Sequence, residues 1–139
     1  MTRPGDAALL AVVAAGGVLG SLGRYAAGVA LPHPSGSFAW STFLVNVSGS
    51  VAMGVLMAWV WSMERPHPWL RPFLGVGVLG GWTTFSSFAL DTHAMVDAGR
   101  GGLAAAYVVG SLVVGVSAVG LGLAGGVRVF GRHVVGVRS

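Results

Sequence analysis

The sequence predicts an all-α, polytopic membrane protein that crosses the bilayer four times, with its third span broken mid-membrane. Three observations predict it. Apolar residues make up 54% of the chain and charged residues 9%, against roughly a quarter charged in a soluble domain. The apolar residues collect into four segments, each near the roughly 20 residues a spanning helix needs. The third segment carries Gly80-Gly81-Trp82-Thr83-Thr84 at its centre, a poor helix interior by propensity. At 139 residues there is no room for a soluble domain beside these spans, so residues 1–139 read as a single transmembrane domain.

The first span runs from about Ala7 to Leu31. Its apolar run is longer than the central region of a signal peptide and three more spans follow it, so it reads as a retained helix. The second runs from about Phe38 to Met63 without a charge, the third from about Pro72 to Asp97, and the fourth from about Gly101 to Val127. The connections are short and turn-like: 32–37 is rich in Pro, Ser and Gly, Glu64-Arg65-Pro66-His67-Pro68 lies between Trp61 and Trp69, and Ala98-Gly99-Arg100-Gly101 makes the last hairpin. Such links predict that sequential helices are antiparallel neighbours. The glycines inside the spans predict close helix packing, because small residues let helices approach in lipid.

Charge and composition remove several function classes. Without cysteine there are no disulfides, thiolate metal sites or cysteine nucleophiles. All eight basic residues are arginines, and they flank spans instead of forming a basic stripe with interleaved aromatics, so membrane lipid, not nucleic acid, is the expected surroundings. Arg3, Arg65, Arg71, Arg128, Arg132 and Arg138 fall on one side of the membrane, with Arg24 and Arg100 on the other. The positive-inside rule then puts both termini in the cytoplasm of a cell (inner or plasma) membrane protein. No Ser-His-Asp set, metal-ligand cluster or phosphate-cradling loop is present, so an enzyme is not expected. His33, His67 and His133 lie in loops or the tail and His93 near a helix end, as ordinary interfacial histidines do.

The chemistry-bearing residues sit in the second, third and fourth spans. A break at Gly80 to Thr84 would free backbone groups at mid-membrane, tolerated only beside protein or a polar cavity, and unwound carbonyls there can hold a small cation. The other reading is an unbroken helix with Thr bonded back to its own turn. Phe85 and Phe88 share a helix face, either as packing or as polarised ring edges facing an anion. Ser86 and Ser87 flank them. Asn46, mid-span in the second helix, is either interhelical glue or a side-chain amide donating to a passing ion. Tyr107 in the fourth span has the same two readings.

These residues give the chain its resemblance to the Fluc (CrcB-like) fluoride channel family. The first span has Gly16-Gly17-Val18-Leu19-Gly20-Ser21-Leu22-Gly23-Arg24-Tyr25, similar to the family's GGxxGxxxRY. The second has Val45-Asn46-Val47-Ser48-Gly49-Ser50 with Gly54, similar to VNxxGSxxxG. The third, GGWTTFSSF over 80–88, is similar to GGxTTFSTF. The resemblance implies an antiparallel, dual-topology-type dimer with two narrow fluoride pores and a structural Na+ ion at its centre. Phe85 and Phe88 would then line the pores, with Asn46 as the pore-side amide. Ser86, Ser87 and Tyr107 would form a polar track, and Arg24 would be the vestibule cation. The backbone carbonyls of Gly80 and Thr83 would hold the sodium. Ser87 stands where the family commonly has Thr, and Asp91 where it has Glu. The function implied is passive export of cytoplasmic fluoride, conferring fluoride resistance: an interior negative by 100 mV drives one anion outward by about 2.3 kcal/mol.

Two alternatives belong to other classes. A small multidrug-exporter-like subunit would need a membrane-embedded carboxylate in an early helix, and none is present. A non-conducting assembly subunit would use Asn46 and the GGWTT break for packing only. The arginine imbalance adds a further expectation. A sequence inserting both ways favours balanced charge, so this subunit is expected to pair with a homologous subunit of opposite orientation, with pairing to itself as the other arrangement.

Overall fold

In lipid a backbone finds no hydrogen-bond partner but itself, so apolar segments of this length wind into helices. The computed structural model describes residues 5–131, and the elements among them are all helical. They are α1 (Asp6–Ala30), α2 (Trp40–Trp61), α3 (Arg71–Leu79), α4 (Gly80–Trp82), α5 (Phe85–Asp97) and α6 (Gly101–Phe130). α1, α2 and α6 are each long and apolar enough to cross a membrane, and so is the stretch Arg71–Asp97 that α3 to α5 share. The protein is a multi-pass membrane protein. Arg3, Arg132, Arg138 and His133 lie outside the described residues.

The third span is not wound uniformly. α3 has the wider π-type winding, a form that commonly marks functional sites. Its successor α4 is a single turn, ended by extended backbone at Thr83 (ψ 158°) and Thr84 (φ −150°, ψ 124°). The interruption therefore falls on the two threonines, while Gly80 and Gly81 stay helical.

The helices do not pack in the order they follow in the chain. α1 lies chiefly against α3 and α4, and α2 chiefly against α6, while α1 and α2 touch little. This corrects the expectation that short links would make sequential helices the main neighbours. What decides the pairing is where two backbones can meet. A Cβ on Gly77 would stand 2.9 Å from the Gly16 Cα, and one on Gly81 would strike the Gly17 carbonyl. On the other pair, a Cβ on Gly54 would strike the Val119 carbonyl and one on Gly122 the Val51 carbonyl. Gly126, where a Cβ would lie 2.5 Å from the Ala58 methyl, continues that seam. Gly110 and Gly120, by contrast, face open space.

The loop ends are also fixed. α5 stops in a Schellman arrangement: Arg100 N–H donates to Met95 O (2.9 Å) and Gly99 N–H to Val96 O (2.9 Å), with Gly99 at φ 72°. Arg100 then donates from Nη1 to Gly36 O (3.2 Å), tying this turn to the α1–α2 connection. Beneath them, Ala39, Met95, Ala104 and Tyr107 form a buried cluster with Phe38, Phe43 and Phe88 packed on it. Large apolar side chains elsewhere on α1 and α6, among them Leu10, Leu22, Val116 and Leu121, face outward, as lipid or a partner helix requires.

Candidate functional site

The break is built by three elements. On the α1 side, Gly20 leaves room for the Val78 carbonyl and for Trp82 N, which would stand 2.7 Å from a Cβ there. On the α2 side, Gly49 leaves room for the Thr83 methyl. Trp82 Nε1 donates to Ser48 Oγ (3.0 Å), and Thr83 Oγ1 donates back to Leu79 O (2.9 Å). The back-bonded threonine thus coexists with a break at the next residue.

Asn46 closes the polar account of that break. Its Nδ2 donates to Thr84 O (3.0 Å), and its Oδ1 accepts from Thr84 N–H (2.7 Å). In an unbroken helix Thr84 N–H would go to Gly80 O. Here that carbonyl loses its usual donor to the Asn46 side chain. The amide nitrogen has a second hydrogen, so Asn46 bridges the break and still has one donor to offer. The Thr84 hydroxyl then begins α5: it accepts from Ser87 N–H (3.1 Å), as an N-cap does, and lies 3.2 Å from both the Ser86 and Ser87 hydroxyls.

Two cavities meet at Thr84. One, of about 160 Å³, is lined by Asn46, Thr84, Phe85, Phe88 and Ser111 among others. The Phe85 and Phe88 ring centroids are 5.8 Å apart. Phe88 packs on Tyr107 at 5.3 Å, and Phe38 meets that ring edge-on. Phe85 is 80% exposed, so it presents its ring away from its own chain. The hydroxyls of Tyr107 and Ser111, one turn apart on α6, are buried and have no hydrogen-bond partner. A buried hydroxyl left unpaired is costly, and a ligand that accepts a hydrogen bond would relieve it.

The other cavity, of about 520 Å³, opens beside the α1–α2 connection and is lined by Arg24, His33, Ser41, Thr42, Ser87 and Asp91 among others. Thr42 Oγ1 donates to Asp91 Oδ2 (2.7 Å), and His33 Nε2 stands 3.5 Å from Asp91 Oδ1. The one positive side chain expected in a vestibule, Arg24, is therefore joined there by a carboxylate and an imidazole.

The expected residues thus separate into groups. Asn46, Phe85 and Phe88 share the smaller cavity, with the Tyr107 ring against Phe88. Arg24 and Ser87 line the larger one. Ser86 touches Thr84 at the N-terminus of α5. Gly80 lies in the helical turn before the break and Thr83 within the break, and their carbonyls suit a hard cation: one lacks its helical donor and the other lies in extended backbone. No group of three or more His, Cys, Asp or Glu side chains could hold a metal among the described residues. Two residues of the site carry no expectation from the sequence, Thr42 and Ser111; Thr84 is expected only as part of the break, and His33 only as an interfacial histidine. Thr42 and Asn46, like Tyr107 and Ser111, are spaced i, i+4, a signal that each pair shares a helix face.

The family described as CrcB-like protein, Camphor Resistance (CrcB), matches residues 11–123, and this span includes every residue of both cavities. The chain belongs to the CrcB-like family. Its relatives include the Fluoride-specific ion channel FluC of Rhodospirillum centenum, 52% identical over 117 residues, or 84% of this chain and 93% of the relative. The protein of the same name from Novosphingobium aromaticivorans is 48% identical over 116 residues, 81% of this chain and 91% of the relative. Fluoride-specific ion channel FluC 3 of Streptomyces avermitilis is 45% identical over 126 residues. That match covers 91% of this chain but only 62% of the relative, so the chain spans less than two thirds of that protein's length. The GGWTTFSSF break, the Asn46 bridge and the Arg24 cavity are therefore features of a CrcB-like chain.

Proposed function

We propose that this chain is a subunit of a fluoride-selective channel that lets cytoplasmic fluoride leave the cell passively. The curated relatives are named as fluoride-specific ion channels, and one structural observation carries the reading. Asn46 pairs both backbone groups of Thr84, the peptide unit at the centre of a mid-membrane break. Beside it Phe85, Phe88 and the unpaired Ser111 hydroxyl line one cavity, with the Tyr107 ring packed on Phe88.

Fluoride is small and strongly hydrated, so a selective path must replace several water donors at once. The spare Asn46 N–H, the Ser111 and Tyr107 hydroxyls and the polarised edges of Phe85 and Phe88 are such partners, and none brings a fixed charge that would trap the ion. Arg24 attracts anions to the wider cavity, from which Ser87 and Thr84 lead inward.

The exposed Phe85 ring and the outward apolar faces favour assembly with a second subunit of opposite orientation, either a copy of this chain or a homologous one. A structural sodium ion is the natural occupant of the break, held by the Gly80 and Thr83 carbonyls. When bound it would take the place of the helical donor that the Gly80 carbonyl lacks. The protein resides in the cell membrane with both termini cytoplasmic, and the weight of arginine at Arg65, Arg71 and Arg128 supports that orientation.

The test is efflux from proteoliposomes of purified protein, read with fluoride-sensitive and chloride-sensitive electrodes. Rapid fluoride release with chloride retained is expected. Equal release of both ions, or of neither, would overturn the proposal.

A further inference from the structure

We infer that His33 is a positioning residue for Asp91 and makes anion entry through the Arg24 cavity respond to pH. The inference rests on the channel reading. It starts from four side chains that the chain brings together from three elements. His33 in the α1–α2 connection places Nε2 3.5 Å from Asp91 Oδ1 of α5 and Nδ1 3.4 Å from Ser41 Oγ of α2. Asp91 Oδ2 meanwhile accepts from Thr42 Oγ1 at 2.7 Å. The imidazole is held on both sides, and so is the carboxylate.

Those partners suit either protonation state. With the ring neutral and its proton on Nε2, Nδ1 accepts from the Ser41 hydroxyl while Nε2 stays within ion-pair distance of Asp91. After protonation, Nδ1–H donates to the same hydroxyl, which has lone pairs to accept it. No side chain has to move, so protonation changes the charge of the cavity without changing its shape.

The charge balance of the cavity sets the direction. Arg24 on α1 and Asp91 on α5 cancel when His33 is neutral, and Tyr25 of α1, also on the wall, is uncharged in the neutral range. Tyr107 on α6, behind Asp91, is likewise uncharged. Arg100 is engaged with Gly36 O, and the exposed His93–Asp97 pair is not on the wall of this cavity. An imidazolium at His33 neutralises Asp91 and leaves Arg24 in excess. A net positive mouth concentrates anions and speeds their entry. For an anion roughly 6 Å from the added charge in a water-filled mouth, the gain is about threefold at low salt. It shrinks as salt rises.

The experiment is fluoride efflux from proteoliposomes with the same pH inside and out, compared between about pH 7.5 and about pH 5.5, the interval in which an imidazole ordinarily takes up its proton. Protein-free vesicles give the leak of the neutral acid to subtract. The readout is each protein's own ratio of rates at the two pH values, at low fluoride and low salt. The expected ratio is about threefold for the natural chain, falling toward one at high salt. It is near one for His33→Gln and again about threefold for His93→Gln. A ratio near one in the natural chain, or an undiminished ratio in His33→Gln, overturns the inference while leaving the channel reading intact. Absence of fluoride efflux at both pH values overturns both. Size-exclusion profiles of the variants verify that each is folded, and Gln at 33 retains a donor for Asp91.

Discussion

Replacing Asn46 by alanine removes two hydrogen bonds at once and leaves their partners with nowhere to turn. Thr84 N–H and Thr84 O, bonded to Asn46 at 2.7 and 3.0 Å, both lie at the break in the third span. Each unpaired buried group costs about 1–3 kcal/mol. Side-chain hydrogen bonds between membrane helices average only about 0.6 kcal/mol, because the unfolded chain finds other partners. The Asn46 case belongs at the upper end, since backbone groups at a break have no helical alternative. A loss of about 3 kcal/mol is expected, read as a shift in the unfolding midpoint in mixed detergent micelles. Fluoride efflux should fall with it. Asn46→Asp is the sharper variant: it retains an acceptor for Thr84 N–H but sets a carboxylate oxygen against Thr84 O, so efflux should fall even where the protein remains folded. If Asn46→Ala costs less than about 0.6 kcal/mol and conducts normally, the side chain does not hold the break and the account of the site is wrong.

Three further outcomes follow from other parts of the structure. Tyr107→Phe deletes a buried hydroxyl with no partner, so stability should not fall and should rise by up to about 1–3 kcal/mol while fluoride efflux slows; unchanged efflux would exclude that hydroxyl from the pathway. Gly122→Ala drives a methyl into the Val51 carbonyl, whereas Gly110→Ala meets nothing within 4 Å. The first should lower stability by about 1–3 kcal/mol in the same micelle assay and the second should be silent. Replacing sodium by a large organic cation should lower the thermal stability of the assembled protein if the Gly80 and Thr83 carbonyls hold an ion; an unchanged melting profile would argue against it.

The four spans could be read from the sequence because length and apolarity are enough to specify a helix in lipid. The interruption at Thr83 and Thr84 was foreshadowed by two adjacent β-branched residues after two glycines. What closes it was not legible. Asn46 is 38 positions from Thr84 in the chain, and only the packing of α2 beside the third span sets its amide against that peptide unit. The same limit governs the glycines. Gly110 and Gly120 are expected as packing positions, yet they meet nothing within 4 Å, and it is Gly122 and Gly126 that face α2. A helix that is apolar all round carries no mark of which face meets its partner. His33 read as an ordinary loop histidine for a related reason: its partners Ser41 and Asp91 belong to two other elements.

The central claim is selective, passive passage of fluoride, and the reversal potential of the current tests it most directly. Purified protein in a planar bilayer would face equal chloride on both sides and a tenfold fluoride gradient. For a fluoride-selective channel the current reverses about 59 mV from zero, on the side set by the fluoride gradient. Reversal near zero would show that chloride passes as well, and would contradict the account.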